Sequence, residues 1–444
     1  MHKKLPLYWF LLGLGGKLQV IASLSISEIA VLLVGPMILL SEYPYMKKTR
    51  VVVFWHMSVL LVLGCAVACI ANNTQFQYVV RGFATTILML LSVVVAHRLF
   101  RLDMSGFRWY FLGDAISMIL CTFVFQRFGE LEAYGGGAEG MNAVASIMSG
   151  PLFWIQRLGA FVRLPGVGWY LTTPLWISAG GALFMSIFSL LTTTSGRSAA
   201  INAVAACVII LIGRRKRSTM MKISKHFYLL LFAGAFCILF LNLVYRYAAE
   251  GGYLGESAHQ KYEAQTQRGK DVFSLIMGGR SDSFIGLLAC RDKPITGWGP
   301  WAVDTKGYKK EFMDKYGTWQ DYQEIIRSEA ENAAKGGVIG LIQCHSYIVE
   351  FWVWYGIFGL IYWLYAIYVF IRYLRQDIAA VPQWFFWLAA GMPGMLWAMF
   401  FSPLMGRIGV PMFIVACLVA RAVRQGRLIL PVKMIQEIEK AEAR

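Results

Sequence analysis

About a dozen apolar runs, each bounded by charged or polar residues, recur along the length of this chain. A run of some twenty apolar residues has no stable place in water, and in a bilayer it must satisfy its own backbone hydrogen bonds, which a helix does. The runs fall near 6–24, 27–41, 51–70, 78–97, 108–127, 141–155, 170–192, 198–213, 227–246, 346–371, 383–401 and 408–420. With 57% hydrophobic residues, 15% charged residues and a mean hydropathy of +0.55, the chain is too apolar for a soluble globular protein. The expectation is an all-α polytopic membrane protein of about twelve transmembrane helices.

A formal charge of +17 in a soluble chain would suggest nucleic acid. Its distribution argues otherwise. The one long polar stretch, roughly Ala248 to His345, holds twelve basic residues from Lys261 to Lys335 against thirteen acidic ones from Glu250 to Glu331, and is near neutral. The excess therefore sits in short connections and tails: Lys47-Lys48-Arg50, Arg98 and Arg101, Arg214-Arg215-Lys216-Arg217, Arg372 and Arg375. That is the positive-inside pattern, and it argues against a nucleic-acid partner. Holding the basic clusters in the cytoplasm gives both termini inside, with no cleavable signal and with the first span as its own insertion signal. The expected organisation is nine helices over 1–246, a large, partly helical extracytoplasmic loop over 247–345, three helices over 346–424 and a cytoplasmic tail over 425–444.

This topology gathers chemically capable residues on the outer face. Arg197, Arg280 and Arg407 come from separate parts of the chain, and each guanidinium can give two parallel hydrogen bonds to phosphate oxygens. The plain alternative is that such arginines snorkel to headgroups. His345 stands where the loop meets a span and can take a proton from a hydroxyl near neutral pH; the alternative is a structural hydrogen bond. Glu350, five residues on, lies on a different helix face from His345. Trp298, Trp301 and Tyr347 can stack on sugar faces or serve as ordinary interface aromatics. Cys290 and Cys344 are candidates for a disulfide, with Cys290 alternatively packed in the apolar turn Phe284–Ala289. No Asp-x-Asp, phosphate-loop, His-Glu-x-x-His or Cys-x-x-Cys pattern occurs, so neither a metal nor a cofactor is expected. Glu329 and Glu331 read as a solvated helix face. Twelve spans with polar Glu28 and Asp114 would also suit a transporter or lipid-linked-sugar flippase, although no two related halves are visible.

Thr194-Ser195-Gly196-Arg197-Ser198-Ala199 opens a span, Gly279-Arg280 and Gly297-Trp298-Gly299 lie in the loop, and His345-Ser346-Tyr347 leads to Tyr355-Gly356-Ile357-Phe358-Gly359-Leu360. In this order, roughly from 170 to 375, they resemble the O-antigen ligase and O-antigen polymerase superfamily of bacterial envelope proteins. The chain departs from the usual form at Ser-Gly-Arg, where Ser-Arg-Gly is commoner. The resemblance implies a metal-independent, inverting glycosyltransferase of the GT-C type in the bacterial inner membrane, with the loop in the periplasm. Its donor would be an undecaprenyl-diphosphate-linked glycan, and its acceptor lipid A core sugar for a ligase or a lipid-linked repeat for a polymerase. Arg197 and Arg280 would hold the diphosphate, and His345 would meet the acceptor hydroxyl.

Overall fold

The computed structural model describes residues 5–14, 19–21, 24–103, 281–316, 340–342, 344–377, 382–401 and 407–428, with isolated positions between 109 and 253. The spans expected at 108–127, 141–155, 170–192, 198–213 and 227–246, together with Arg197, Arg280 and Asp114, lie outside the described residues, as does the tail beyond 428.

The described part is mostly helical. Helix α1 (Leu5–Leu14) has ten residues, about 15 Å, and so reaches half-way across a bilayer. A short antiparallel ribbon of Gln19–Ile21 and Leu24–Ser25 follows it. The apolar run 6–24 is thus not one helix.

Three helices then run up and down. Helix α2 (Ile26–Thr49) opens with a capping box: Ser25 Oγ accepts from the Glu28 amide while Glu28 Oε2 accepts from the Ser25 amide at 2.8 Å. It turns through Arg50, at φ 62°, straight into α3 (Val51–Ala71). After Asn72–Gln75 comes α4 (Phe76–Leu102). Their 24, 21 and 27 residues give lengths of about 32–40 Å, enough to span a bilayer. On α3 the buried positions Val51, Phe54, Ser58, Leu61 and Cys65 recur at helical spacing. The opposite faces are apolar as well, with Met37, Leu40 and Ile70 each more than three-quarters exposed. Such a surface suits lipid and not water.

Helix α10 (Gly409–Arg424) packs against α4 and is buried along most of its length. Helix α9 (Pro382–Phe401) carries Pro393. The run expected as one span at 346–371 is two helices, α7 (Tyr347–Tyr355) and α8 (Ile357–Arg372), broken at Gly356, and α8 continues as a π turn to Asp377. Among the described residues four helical segments, α2, α3, α4 and α8 with its π turn, are long and apolar enough to cross a membrane.

The two ends of this assembly differ chemically. At one end Glu42, fully buried on α2, is held by a fork from Arg101 at 2.8 and 2.9 Å and by His97 Nδ1 at 2.7 Å. His97 Nε2 meets Thr49 Oγ1 at 2.8 Å, and Arg424, the last residue of α10, pairs with Asp377, the last residue of the π turn. The charges of Arg50 and Arg372 reach Arg421 there. At the opposite end lie the start of α2, the α3–α4 turn, the described part of the loop, and His345.

Candidate functional site

The loop is fastened to the break in the α7–α8 span. A helix that ends leaves carbonyls without partners, and one that starts leaves amides without partners; in an apolar setting each is costly. Here the aromatic turn supplies both kinds of partner. The amides of Trp298 and Gly299 donate to the Val353 and Trp354 carbonyls at 2.6 and 3.0 Å, and the Ile357 amide donates to the Ile295 carbonyl at 3.1 Å. Gly356 makes room for this: its φ is 60°, and a Cβ there would sit 1.9 Å from the Ile295 oxygen. Two glycine-bearing motifs far apart in the sequence are therefore two halves of one joint.

Side chains seat the same turn. Trp298 Nε1 donates to the Ala289 carbonyl at 2.9 Å and Trp352 Nε1 to the Pro294 carbonyl at 3.0 Å. Asn72, just past α3, donates to the Gly297 carbonyl and accepts from Lys293, whose ammonium lies 4.1 Å from the Trp298 ring centroid. Helix α5 (Ser281–Asp292) ends at Asp292, which accepts from Tyr308 Oη at 2.7 Å, Lys306 Nζ at 3.0 Å and Arg291 Nε at 3.2 Å. The Tyr308 hydroxyl, then Lys306 and Arg291, hold the Asp292 carboxyl down at about 2. Burial, then the bond to Asp292, pushes the Tyr308 phenol well up. Tyr308 opens helix α6 (Tyr308–Tyr316), whose first amides are capped by Asp304 at 2.8 Å.

His345 precedes the N-cap of α7. Ser346 is that cap: its hydroxyl accepts from the Val349 amide at 3.3 Å and donates to the Met399 carbonyl of α9 at 2.9 Å. The residue on the other side, Cys344, lies flat on α5, where Gly286 offers no side chain and an added Cβ would come 2.4 Å from Cys344 Sγ. That close approach puts the first turn of α5 beside His345. Asp282 Oδ2 lies 2.6 Å from His345 Nδ1, with the two side chains 30% and 41% exposed. Among the described residues His345 Nε2 has no partner. A half-exposed imidazole with one nitrogen tied to a carboxylate and the other open can accept a proton from a bound hydroxyl.

The other expected site residues are distributed as follows. Arg407, in the turn before α10, lies 3.5 Å from Glu28 and is 24% exposed. Glu28 is thus a cap and an ion-pair partner at a helix end, which is not the mid-span placement a translocation path would need. Trp301 stacks on Trp354 with centroids 4.7 Å apart, and the Arg81 guanidinium lies 6.0 Å from its centroid. Tyr347 is 4% exposed and packs on Trp363 at 5.1 Å. Trp298 is part of the joint. Cys290 and Cys344 are buried free thiols. Burial pushes Cys290 up to about 12 and Cys344 well above its ordinary value, so neither is a thiolate near neutral pH.

Asp282 was not singled out by the sequence reading. The signal that points to it is the polar cluster Gly279-Arg280-Ser281-Asp282, which sets a carboxylate beside the arginine.

A family model described as O-antigen ligase matches residues 181–364. No curated protein and no solved structure matches the chain. The matched segment is under half of the chain, yet it contains Arg197, Arg280, α5, the joint, Asp282 and His345, and it stops short of Arg407. Over this segment the chain is similar to the O-antigen ligase family.

Proposed function

We propose that this protein is a membrane glycosyltransferase that moves a glycan from undecaprenyl diphosphate to a sugar hydroxyl, with lipid A core as acceptor. The observation that carries the reading is His345: half-exposed, with Nε2 unpartnered among the described residues, anchored to Asp282, and within the segment that matches the ligase family. In the proposed reaction the acceptor oxygen attacks the anomeric carbon as its proton passes to His345 Nε2. The bond from that carbon to the diphosphate oxygen breaks, and the diphosphate leaves with the electron pair, so the configuration inverts.

Charge builds on the leaving diphosphate, and fixed guanidinium groups stabilise it in the role a divalent metal fills elsewhere. Arg197 and Arg280 are assigned to that task. Arg280 stands two residues before Asp282 in the sequence, which supports assigning phosphate binding and proton acceptance to one site. Arg407 belongs to the same end but is already shared with Glu28, which makes it the weaker of the three phosphate ligands. Trp301 is assigned to sugar stacking. The site faces the periplasm from the inner membrane, because Lys47, Lys48, Arg98, Arg101 and Arg372 gather at the opposite end.

The test is transfer in vesicles holding the purified protein, lipid-linked glycan as donor and lipid A core as acceptor. His345→Ala and Arg280→Ala should each abolish transfer without loss of insertion, and a chelator should leave the native rate unchanged. Full activity of both variants ends the proposal. A lipid-linked repeat offered in place of lipid A core tests the polymerase reading in the same assay.

A further inference from the structure

We infer that Asp282 is the positioning residue for His345: it fixes the imidazole tautomer and orientation so that Nε2 is the nitrogen presented to the acceptor hydroxyl. The inference rests on the reading of His345 as the proton acceptor, and goes beyond it by assigning a role to a residue on a different element.

The argument begins with the neutral imidazole, which carries one proton that either nitrogen can hold. A carboxylate cannot donate when ionised, so the 2.6 Å contact between Asp282 Oδ2 and His345 Nδ1 requires the proton on Nδ1. The lone pair is then on Nε2. Without that carboxylate the ring would divide its time between tautomers and rotamers, and only a fraction would have a base facing the substrate. When Nε2 takes the acceptor's proton the ring becomes cationic, and the adjacent Asp282 carboxylate balances the new charge.

The placement of Asp282 is built and not incidental. It sits in the first turn of α5, where a negative side chain is favoured by the amides of the helix start. The helix is held at its far end by the Trp298 Nε1 bond to the Ala289 carbonyl, and at its middle by the bare surface of Gly286 under Cys344. His345 is held by its neighbour Ser346, which is tied to α7 and α9 at once. Both partners are thus fixed by packing outside the pair.

Four full-length proteins test this: native, Asp282→Ala, Asp282→Glu and His345→Gln. Each is assayed for transfer from undecaprenyl-diphosphate-linked glycan to lipid A core, and each is labelled with 15N-histidine, the His345 signals being assigned by their loss in His345→Gln. The expected result is a fall of about 10²-fold in kcat for Asp282→Ala, since a positioned base is worth about 10² to 10⁴. The acceptor KM should stay within about twofold, and Asp282→Glu should recover at least about a tenth of the native rate. The spectrum should show His345 protonated on Nδ1 in the native protein and as a tautomer mixture in Asp282→Ala.

Native turnover in Asp282→Ala beside an inactive His345→Gln overturns the inference and leaves the base reading standing. A slow Asp282→Ala whose His345 stays protonated on Nδ1 also overturns it, because Asp282 would then be only a strut. An active His345→Gln removes the base reading, and this inference with it. Should Asp282→Ala fail to survive extraction, the isosteric Asp282→Asn takes its place under the same criteria for rate and KM.

Discussion

At the scale of single residues, the loop is held by a carboxylate whose charge is used three times over. Asp292 receives a phenol, an ammonium and a guanidinium, and its proton affinity is depressed in the folded state. A group shifted in this direction adds stability at pH above its unfolded value near 4, and that contribution is lost as pH falls toward about 2. Asp292→Asn should therefore release the α5–α6 contact at neutral pH, read as faster proteolysis near Lys306. The native protein and the variant should converge as pH is lowered through 4 toward 2. Equal proteolysis at pH 7 would show that Asp292 does not fasten the loop. The sequence alone placed His345 directly before a long apolar run, and the structure has it directly before the N-cap of α7. It gave no route to Asp282, because a pair formed between two helices distant in the chain leaves no periodic trace. It could discount Glu350 on helix geometry, but it could not supply the true neighbour.

At the scale of elements, the break between α7 and α8 is the structural decision that shapes the site. Hydropathy read 346–371 as one span, because a single glycine hardly alters an average over twenty apolar residues. The clue was a pairing of motifs: a turn with two glycines in the loop, and Tyr355-Gly356 in the span. Gly356→Ala should tear this joint, since the new Cβ would meet the Ile295 oxygen at 1.9 Å in a backbone region with φ 60° and ψ −144° that side chains avoid. Left-handed backbone strain costs about 1–3 kcal/mol, and the clash adds to it. The variant should insert normally yet show a lowered midpoint of thermal aggregation and new cleavage between Lys293 and Trp301. A thermal midpoint equal to the native one would refute this account of the joint. The helices α2, α3 and α4 were more legible, because polar or charged residues bound their apolar runs. Only their ends were misjudged, α2 reaching Thr49 where the apolar run stops at 41. Helices continue through the interface for as long as their polar ends stay hydrated, and hydropathy is silent there.

At the scale of the whole molecule, the charge asymmetry that the sequence displayed returns as two unlike ends. One holds Glu42, His97 and Arg101 in a buried cluster under the basic residues; the other holds His345, Asp282 and Arg407. With the positive-inside rule, Lys48→Cys should be labelled by an impermeant maleimide only after the inner face is opened, and Lys306→Cys should be labelled in intact spheroplasts. The reverse pattern would turn the site toward the cytoplasm and remove the proposed acceptor from reach.

The stitching of loop to span carries one more implication. Its central hydrogen bonds are made by peptide groups, and the side chains committed to it are few, chiefly Trp298, Trp352 and Asn72. A chain built this way can exchange the exposed residues of its loop to suit a different saccharide while the hinge beneath keeps its shape. Selectivity and architecture are then free to drift apart.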